Sequence, residues 1–230
     1  MTEPTITRRG SLLRLGGFLV TAVGVGGWRI AESEGAGPAA VASGAVSCVL
    51  TPEQTEGPYY ISGEKLRRNI TEGRPGAALL LRAFVVDAST CKPIKSAVVD
   101  IWHADALGIY SGAIANNAGT NFMRGIQKTD SAGLAHFQSV YPGWYQGRAV
   151  HIHVKVHLGG SVVHTGQLFF PAEVTNAVYE KSPYRTHGTH PDTLNANDAI
   201  FRNGGSKGML ALKKSGSGYI GTIAMGVHSA

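Results

Sequence analysis

The sequence has no run of basic residues and no nucleic-acid-binding motif, although its formal charge at pH 7 is +6. Its basic residues are scattered, which favours a solvated surface with a mild attraction for anionic aromatic acids over a nucleic-acid partner. Charged residues make up only 16% of the 230 residues, whereas 43% are hydrophobic, as in a globular protein. The composition therefore excludes a disordered chain and gives no support to nucleic-acid binding.

A long, uninterrupted apolar run is also absent. The most apolar N-terminal stretch, residues 12–28, contains Arg14 and several glycines, so it would make a poor membrane-spanning helix. The pair Arg8-Arg9 precedes this stretch and Ala40-Val41-Ala42 follows it, as in a twin-arginine export signal with its cleavage site. We predict an export signal and linker over residues 1–42 and an extracellular, periplasmic or cell-surface protein that leaves the membrane once the signal is cleaved. An uncleaved membrane anchor is the alternative.

Cysteine is scarce, with Cys48 and Cys91 only. In an exported protein an isolated pair most simply forms one disulfide, which here would tie the start of the mature chain to a turn between strands. Two free buried thiols are the alternative. Neither cysteine lies near the histidine pair described below, so neither is assigned to a metal.

Glycine is abundant, at 31 residues, which suits short strands joined by many turns. One helical pattern occurs at 171–181, and the Asn- and Gly-rich stretch 113–125 is expected to be irregular. No internal repeat is present. We predict one domain over residues 43–230, an all-β, two-sheet β-sandwich with long loops and little helix. Its strands are expected at 79–86, 97–103, 134–140, 149–158, 162–170 and 219–227.

From Ala149 onward the sequence alternates as a strand does. His151, His153, Lys155 and His157 fall on one face, and the residues between them are apolar. Since side chains i and i+2 of a strand share a face, His151 and His153 stand side by side at a spacing that a metal ion can bridge. The sequence therefore predicts a metal site on a strand whose other face is supported by the core.

The identity of the metal does not follow from the H-x-H pair alone, because zinc enzymes, copper proteins and cupins all use it. The cupin pattern expects a glutamate shortly after the pair, and none follows His153 here. Zinc would need a third ligand, which His157 or His164 could supply, and that alternative stays open. Tyrosine ligands would favour Fe(III) over Fe(II) or Cu(I), since a phenolate is a hard anionic oxygen donor. Two tyrosines beside two histidines therefore indicate Fe(III).

Four separate motifs match one family. They are TEGPYY at 55–60, DIWHADALGIY at 100–110, PGWYQGRAVHIH at 142–153 and QLFF at 167–170. In this order they resemble the intradiol ring-cleavage dioxygenases, particularly their exported branch. The resemblance runs from Cys48 to about Phe170, and the family's β-sandwich fold agrees with the strand pattern.

The resemblance implies a non-haem Fe(III) held by Tyr110, Tyr145, His151 and His153. It also implies a reaction in which O2 is inserted between the two hydroxyl-bearing carbons of a catechol-type ring to give a cis,cis-muconate. In family terms Tyr145 leaves the metal when the substrate binds, whereas Tyr110 stays. The expected partners are O2 and a small aromatic diol such as catechol, hydroxyquinol or protocatechuate, and a homodimer is compatible with the sequence.

The resemblance implies five further residues at the site. Arg148 resembles the family arginine that stabilises negative charge on the substrate ring, and Gln167 resembles the glutamine that hydrogen-bonds near the iron. Gly57, Pro58 and Tyr59 resemble the loop that covers the substrate. A surface arginine, a plain strand glutamine and a packing tyrosine are the respective alternatives.

The remaining aromatic and histidine side chains are expected to be structural. Trp102 and Trp144 flank the implied ligands and are interpreted as core residues. His103 and Asp105 are candidates for contacts behind the ligands. Structural or surface positions are expected for His157, His164, His187 and His190.

A rival hypothesis comes from a different functional class. A non-catalytic β-sandwich module could bind carbohydrate or a surface partner and keep the same architecture. Such a module has no need of two histidines and two tyrosines at all four ligand positions, or of Arg148 and Gln167 beside them. The hypothesis that the protein is an enzyme is therefore preferred.

Overall fold

Two four-stranded β-sheets share one apolar core in the part of the chain that the computed structural model describes, residues 48–112 and 118–229. The strands of this part are β1 (Ala78–Asp87), β2 (Val98–Trp102), β3 (Arg124–Lys128), β4 (Leu134–Val140), β5 (His151–Leu158), β6 (Ser161–Phe169), β7 (Ala211–Ser215) and β8 (Gly218–Val227). The first sheet has the order β4-β1-β8-β7 and the second the order β3-β2-β5-β6. The predicted β-sandwich is confirmed.

Strand pairing is antiparallel throughout the second sheet. In the first sheet β1 pairs antiparallel with β4 and parallel with β8, so the last strand of the chain lies next to the first. Longer α-helix is limited, within the described residues, to α1 (Ala172–Tyr179), with one further turn at α2 (Ala199–Arg202). Pro171 directly precedes α1, in agreement with the helical signal in the sequence.

The core lies between the two sheets and fixes the direction of the β5 side chains. Leu81 of β1 and Ile101 of β2 are fully buried there, together with Ile152 and Val154 of β5. Because side chains alternate along a strand, burying Ile152 and Val154 between the sheets turns His153 to the outer face of the second sheet.

The outer face of the second sheet is covered by the segment 51–67. Its backbone hydrogen-bonds to β6 and to β3, and the Tyr60 ring packs 4.8 Å from the Trp102 ring. As a result β5 is buried on both faces, and His151 and His153 are only 3% and 1% exposed. The covering segment is what turns one strand face into an enclosed site.

The six predicted strands lie within two residues of observed ones, but β3 and β7 were not predicted. β3 begins at Arg124, inside the stretch 113–125, so the prediction of irregular structure is wrong at the end of that stretch. Its sequence, RGIQK, lacks the apolar alternation that marks a strand. A charged residue, Arg124, takes a fully buried position in it and donates hydrogen bonds to Ser111. β7 is an edge strand with exposed lysines and pairs only with β8, which hydrophobic periodicity does not detect.

The predicted export signal, residues 1–42, lies outside the described residues and stays a prediction. Of the domain predicted over 43–230, the structure describes 48–112 and 118–229. Within these ranges no helix has the length and apolar character needed to cross a membrane.

Cys48 and Cys91 form a disulfide, so the prediction of one bridge is confirmed and the alternative of two free thiols is wrong. The bridge spans 43 positions of sequence. It ties the start of the described chain to the turn between β1 and β2. Cys48 lies just ahead of the segment 51–67, which covers the second sheet.

Replacing Cys48 and Cys91 together by serine is expected to lower the free energy of unfolding by about 4 kcal/mol, because the bridge restricts a long loop in the unfolded chain. Urea unfolding of the wild type and the variant measures this difference. A reductant should destabilise the wild type to the same extent and leave the variant unchanged. Equal unfolding midpoints without reductant would contradict the expectation.

Candidate metal centre

Two histidines and two tyrosines come together on the outer face of β5. His151 and His153 are neighbours on the strand, with their Nε2 atoms 3.0 Å apart. Tyr145, in the loop before β5, places its hydroxyl 3.1 Å from His151 Nε2. Tyr110, in the loop after β2, has its ring centroid 5.5 Å from that of Tyr145 and 6.2 Å from that of His153. The structure therefore brings together all four residues that the sequence resemblance names as ligands.

The two imidazoles are held by contacts on their far sides. Trp102 pairs with His153 across β2 and β5, and the two rings stack at 5.0 Å with 5° between their planes. His151 Nδ1 lies 2.6 Å from the Ala149 carbonyl oxygen, to which it donates, and this leaves the lone pair on Nε2. The backbone of Gly57 lies against the His153 ring. Gly57 has φ +74°, and a Cβ at this position would lie 3.0 Å from His153 Cε1. Only glycine fits this position without strain.

The two tyrosines differ in how firmly they are held. Tyr110 follows a turn in which the Asp105 carboxylate accepts hydrogen bonds from two backbone N–H groups, at 2.9 and 3.1 Å. Tyr59 stacks on Tyr110 with ring centroids 4.2 Å apart, and Tyr110 is only 2% exposed. Tyr145 is half-buried on its loop. Tyr110 is thus enclosed, whereas Tyr145 has access to solvent.

Both histidines are neutral near pH 7. Burial, followed by the positive charge of Arg148, lowers the pKa of His151 to about 3. Burial also lowers the pKa of His153 well below its ordinary value, and His151 and Arg148 add to the effect. A neutral imidazole keeps a lone pair on one ring nitrogen, which is the form that binds metals.

The two phenols are protonated near pH 7 in the protein alone. Burial, and then the neighbouring Tyr145, raises the pKa of Tyr110 well above its ordinary value. Burial also raises the pKa of Tyr145, although the charge of Arg148 opposes this. Both would ionise only beside a strong Lewis acid that replaces their protons.

The donor set fits a hard trivalent metal ion. Two atoms that bind one ion at about 2.1 Å and at right angles lie about 3.0 Å apart, close to the spacings of His151 Nε2 from His153 Nε2 and from the Tyr145 hydroxyl. Two phenol oxygens beside two imidazoles favour Fe(III) over softer ions. A site built without tyrosines, as the zinc alternative requires, is not found: in the described ranges no group of three His, Cys, Asp or Glu residues could hold a metal. His164, one proposed third zinc ligand, instead lies 2.7 Å from the Glu53 carboxylate.

Arg148 and Gln167 lie beside the four donors and contact each other. Gln167 is opposite His153 across β5 and β6, and its Oε1 accepts a hydrogen bond from Arg148 Nη2. Arg148 Nη1 lies 3.5 Å from His151 Nε2. The Arg148 side chain is only 18% exposed, so it is not a solvated surface arginine.

The loop over residues 55–60 covers the donors. Gln167 Nε2 donates to the Thr55 carbonyl oxygen at 3.0 Å, which fastens the loop to β6. Pro58 and Tyr59 form a turn, and Tyr59 faces Tyr145 edge-on at 6.0 Å while it stacks on Tyr110. The three loop residues named by the resemblance therefore lie at the site, and Tyr59 also packs.

Two histidines outside the donor set have structural contacts; this was expected for His187, whereas His103 was a candidate for a contact behind the ligands and instead bonds to Ala104 and Ser139. His103 is fully buried, and its two ring nitrogens each lie 2.8 Å from a partner, Ala104 O and Ser139 Oγ. His187 Nε2 lies 3.0 Å from Trp144 O, next to the Tyr145 loop but outside the donor set.

One residue at the site was missed from the sequence. Asp198, directly before α2, receives a hydrogen bond from Arg148 Nε at 2.9 Å and another from Ala149 N at 2.8 Å. An aspartate ahead of a short helix is a recognisable N-cap, but that signal gives no sign of a contact 50 positions away.

Comparison with known proteins gives a consistent result. A family model described as "Dioxygenase" matches residues 55–177, a range that includes the four donors, the covering loop, Arg148 and Gln167. Among curated proteins, catechol 1,2-dioxygenase 2 of Acinetobacter lwoffii is 35% identical over 99 residues. This match covers 41% of the present chain and only 35% of the relative's length.

Two solved structures cover more of the chain. An intradiol ring-cleavage dioxygenase from Tetranychus urticae is 35% identical with a TM-score of 0.75, over 79% of this chain and 95% of that one. The dioxygenase domain of a dioxygenase–carbohydrate-binding protein fusion from Streptomyces sp. SirexAA-E is 30% identical with a TM-score of 0.60, over 79% of this chain and 99% of that one.

Proposed function

The chain belongs to the intradiol ring-cleavage dioxygenase family, and from this premise we propose that it is a non-haem Fe(III) enzyme that cleaves catechol-type rings with O2. The observation that carries the proposal is the convergence of two neutral imidazoles and two phenols beside the guanidinium of Arg148. The bond between the two hydroxyl-bearing carbons breaks, and both atoms of O2 enter a cis,cis-muconate-type product. A non-catalytic binding module explains none of this set.

Tyr110, Tyr145, His151 and His153 would hold the iron. When bound, Fe(III) supplies a Lewis acid that lets phenol and diol groups lose protons near neutral pH and prepares the diol to react with O2. The protein's part is to present four donors in a fixed arrangement and to keep water away. Burial of both histidines and the Tyr59 ring over Tyr110 support that role.

Proton transfer from the substrate falls to Tyr145. A diol must lose two protons to bind as a dianion; the Tyr145 oxygen, ionised when the metal is present, would accept one of them, and a solvent hydroxide at the site would accept the other. Tyr145 is half-buried on a loop that reaches solvent, whereas Tyr110 is enclosed beneath Tyr59. This difference in burial supports Tyr145 as the ligand that departs and Tyr110 as the one that stays.

Arg148 supplies the positive charge that the substrate needs. Its guanidinium lies between the Gln167 amide and His151, with one nitrogen 3.5 Å from His151 Nε2. Negative charge that develops on the substrate oxygens or ring would lie next to it and be stabilised. Gln167 holds both this guanidinium and the covering loop.

The proposed substrates are small diols such as catechol, hydroxyquinol and protocatechuate, because the loop over residues 55–60 lies close above the donors. We also propose that the protein works outside the cytoplasm. A disulfide between Cys48 and Cys91 suits an oxidising compartment, and the predicted export signal over 1–42 would direct the chain there.

The proposal is tested with the purified protein loaded with iron. We expect about one iron per chain, a broad visible absorption band from tyrosinate bound to Fe(III), and O2 uptake with at least one of the three diols. The product should be the ring-opened dicarboxylate. Colourless protein with stoichiometric zinc, or iron-loaded protein that consumes no O2 with any of them, would refute the enzyme assignment.

A further inference from the structure

Asp198 occupies an unusual position for a helix-capping residue. It is 1% exposed, and its Oδ1 accepts hydrogen bonds from the N–H groups of Ile200 and Phe201, at 2.7 and 3.0 Å, at the start of α2. Its Oδ2 accepts from Arg148 Nε at 2.9 Å and from Ala149 N at 2.8 Å. One carboxylate therefore joins α2 to the segment directly ahead of β5.

All four acceptor positions of this carboxylate are used. An ionised carboxylate has about four lone-pair sites and no donor, so it can accept from four N–H groups at once. Burial alone would raise the pKa of Asp198, but the hydrogen bonds from Ala149, Phe201 and Arg148 outweigh it and lower the pKa. Asparagine at this position could keep the two cap bonds through its oxygen, but its NH2 group would face Arg148 Nε–H and Ala149 N–H.

The consequence for Arg148 is a fixed direction. Asp198 binds Nε, Gln167 binds Nη2, and the remaining nitrogen Nη1 is directed toward His151 Nε2. Without the bond to Nε, the long side chain would gain rotational freedom about its stem. Asp198 also lies beyond residues 55–177, the range that the family model matches.

We infer that Asp198 is a positioning residue, which aims the Arg148 guanidinium at the substrate side of the four donors. This inference rests on the proposed function for its effect on rate, but not for its effect on geometry. A misplacement of about 1 Å in a group that acts on the substrate can cost about a hundredfold in rate.

The test is a double-mutant cycle on the iron-loaded full chain. Asp198→Asn is expected to lower kcat/KM by about 10- to 100-fold when Arg148 is present, and by less than about twofold in an Arg148→Ala background. A residue that only supported the fold would cost the same factor in both backgrounds, and that result would overturn the inference. So would an unchanged kcat/KM in the single variant.

A control and a second measurement separate this inference from the proposed function. Asp130 also accepts two backbone N–H bonds, from Ala132 and Leu134 in the β3–β4 turn, and Asp130→Asn should leave kcat/KM unchanged. A crystal structure of Asp198→Asn should show the guanidinium displaced from Gln167, and the Ala149 amide should exchange with deuterium at least tenfold faster. An unmoved guanidinium would overturn the inference even if the wild type were inactive. A displaced one in an inactive protein would support the positioning role and refute only the proposed reaction.

Discussion

Replacing His153 by alanine is expected to abolish iron binding and ring cleavage. Loss of a residue that merely supports a ligand typically costs 10- to 100-fold in metal affinity, so loss of a ligand should cost more than about a hundredfold. No other neutral imidazole in the described part of the chain faces His151 Nε2 at 3.0 Å and could replace it. Iron per chain, the visible band and O2 uptake with catechol measure the effect, and each should fall to background.

His157→Ala is the matched control. His157 lies on β5 and on the same strand face, four positions further along, and is only half-buried. It should keep iron, colour and activity within about twofold of the wild type. Circular dichroism should show that both variants fold. Full iron content in His153→Ala would show that the ligand set is wrong, and equal loss in both variants would show that β5 had merely been destabilised.

The histidine pair is the part of the site that the sequence predicts from physical rules alone. Strand alternation places His151 and His153 on one face, and the apolar residues between them place the opposite face in the core. The covering of that face was not predictable from periodicity, because it depends on the segment 51–67 folding back over the sheet. Family motifs supplied the covering loop, whereas alternation could not.

The tyrosines and Asp198 depend on contacts that no local pattern encodes. Tyr110 and Tyr145 lie on separate loops, and only their motifs connected them to the histidines. Asp198 carries a visible N-cap signal, but one oxygen serves α2 while the other serves Arg148. Likewise β3 was missed because the buried Arg124 reads as a surface residue. The features that could not be predicted from the sequence are therefore buried polar groups whose partners are distant in sequence.

The two tyrosine loops meet at close backbone contacts, which link their positions, and the approach of Gly108 to Trp144 is one of them. Gly108, two residues before Tyr110, has φ +76°, and a Cβ on it would lie 2.1 Å from the carbonyl oxygen of Trp144, the residue before Tyr145. Backbone atoms cannot yield as the end of a side chain can. Any side chain at position 108 must therefore push the two loops apart.

Gly108→Ala is accordingly expected to lower the free energy of unfolding by about 3 kcal/mol or more, from the left-handed backbone and the overlap together. Gly147→Ala is its control, since Gly147 has φ +79° but nothing within 4 Å of a Cβ, and it should lose about 1 kcal/mol. Urea unfolding measures both variants. Displacing the Trp144 backbone should also move Tyr145, so iron-loaded Gly108→Ala should lose about a hundredfold in kcat/KM while Gly147→Ala stays near the wild type. Equal effects of the two substitutions would mean that the loops are not coupled through this contact.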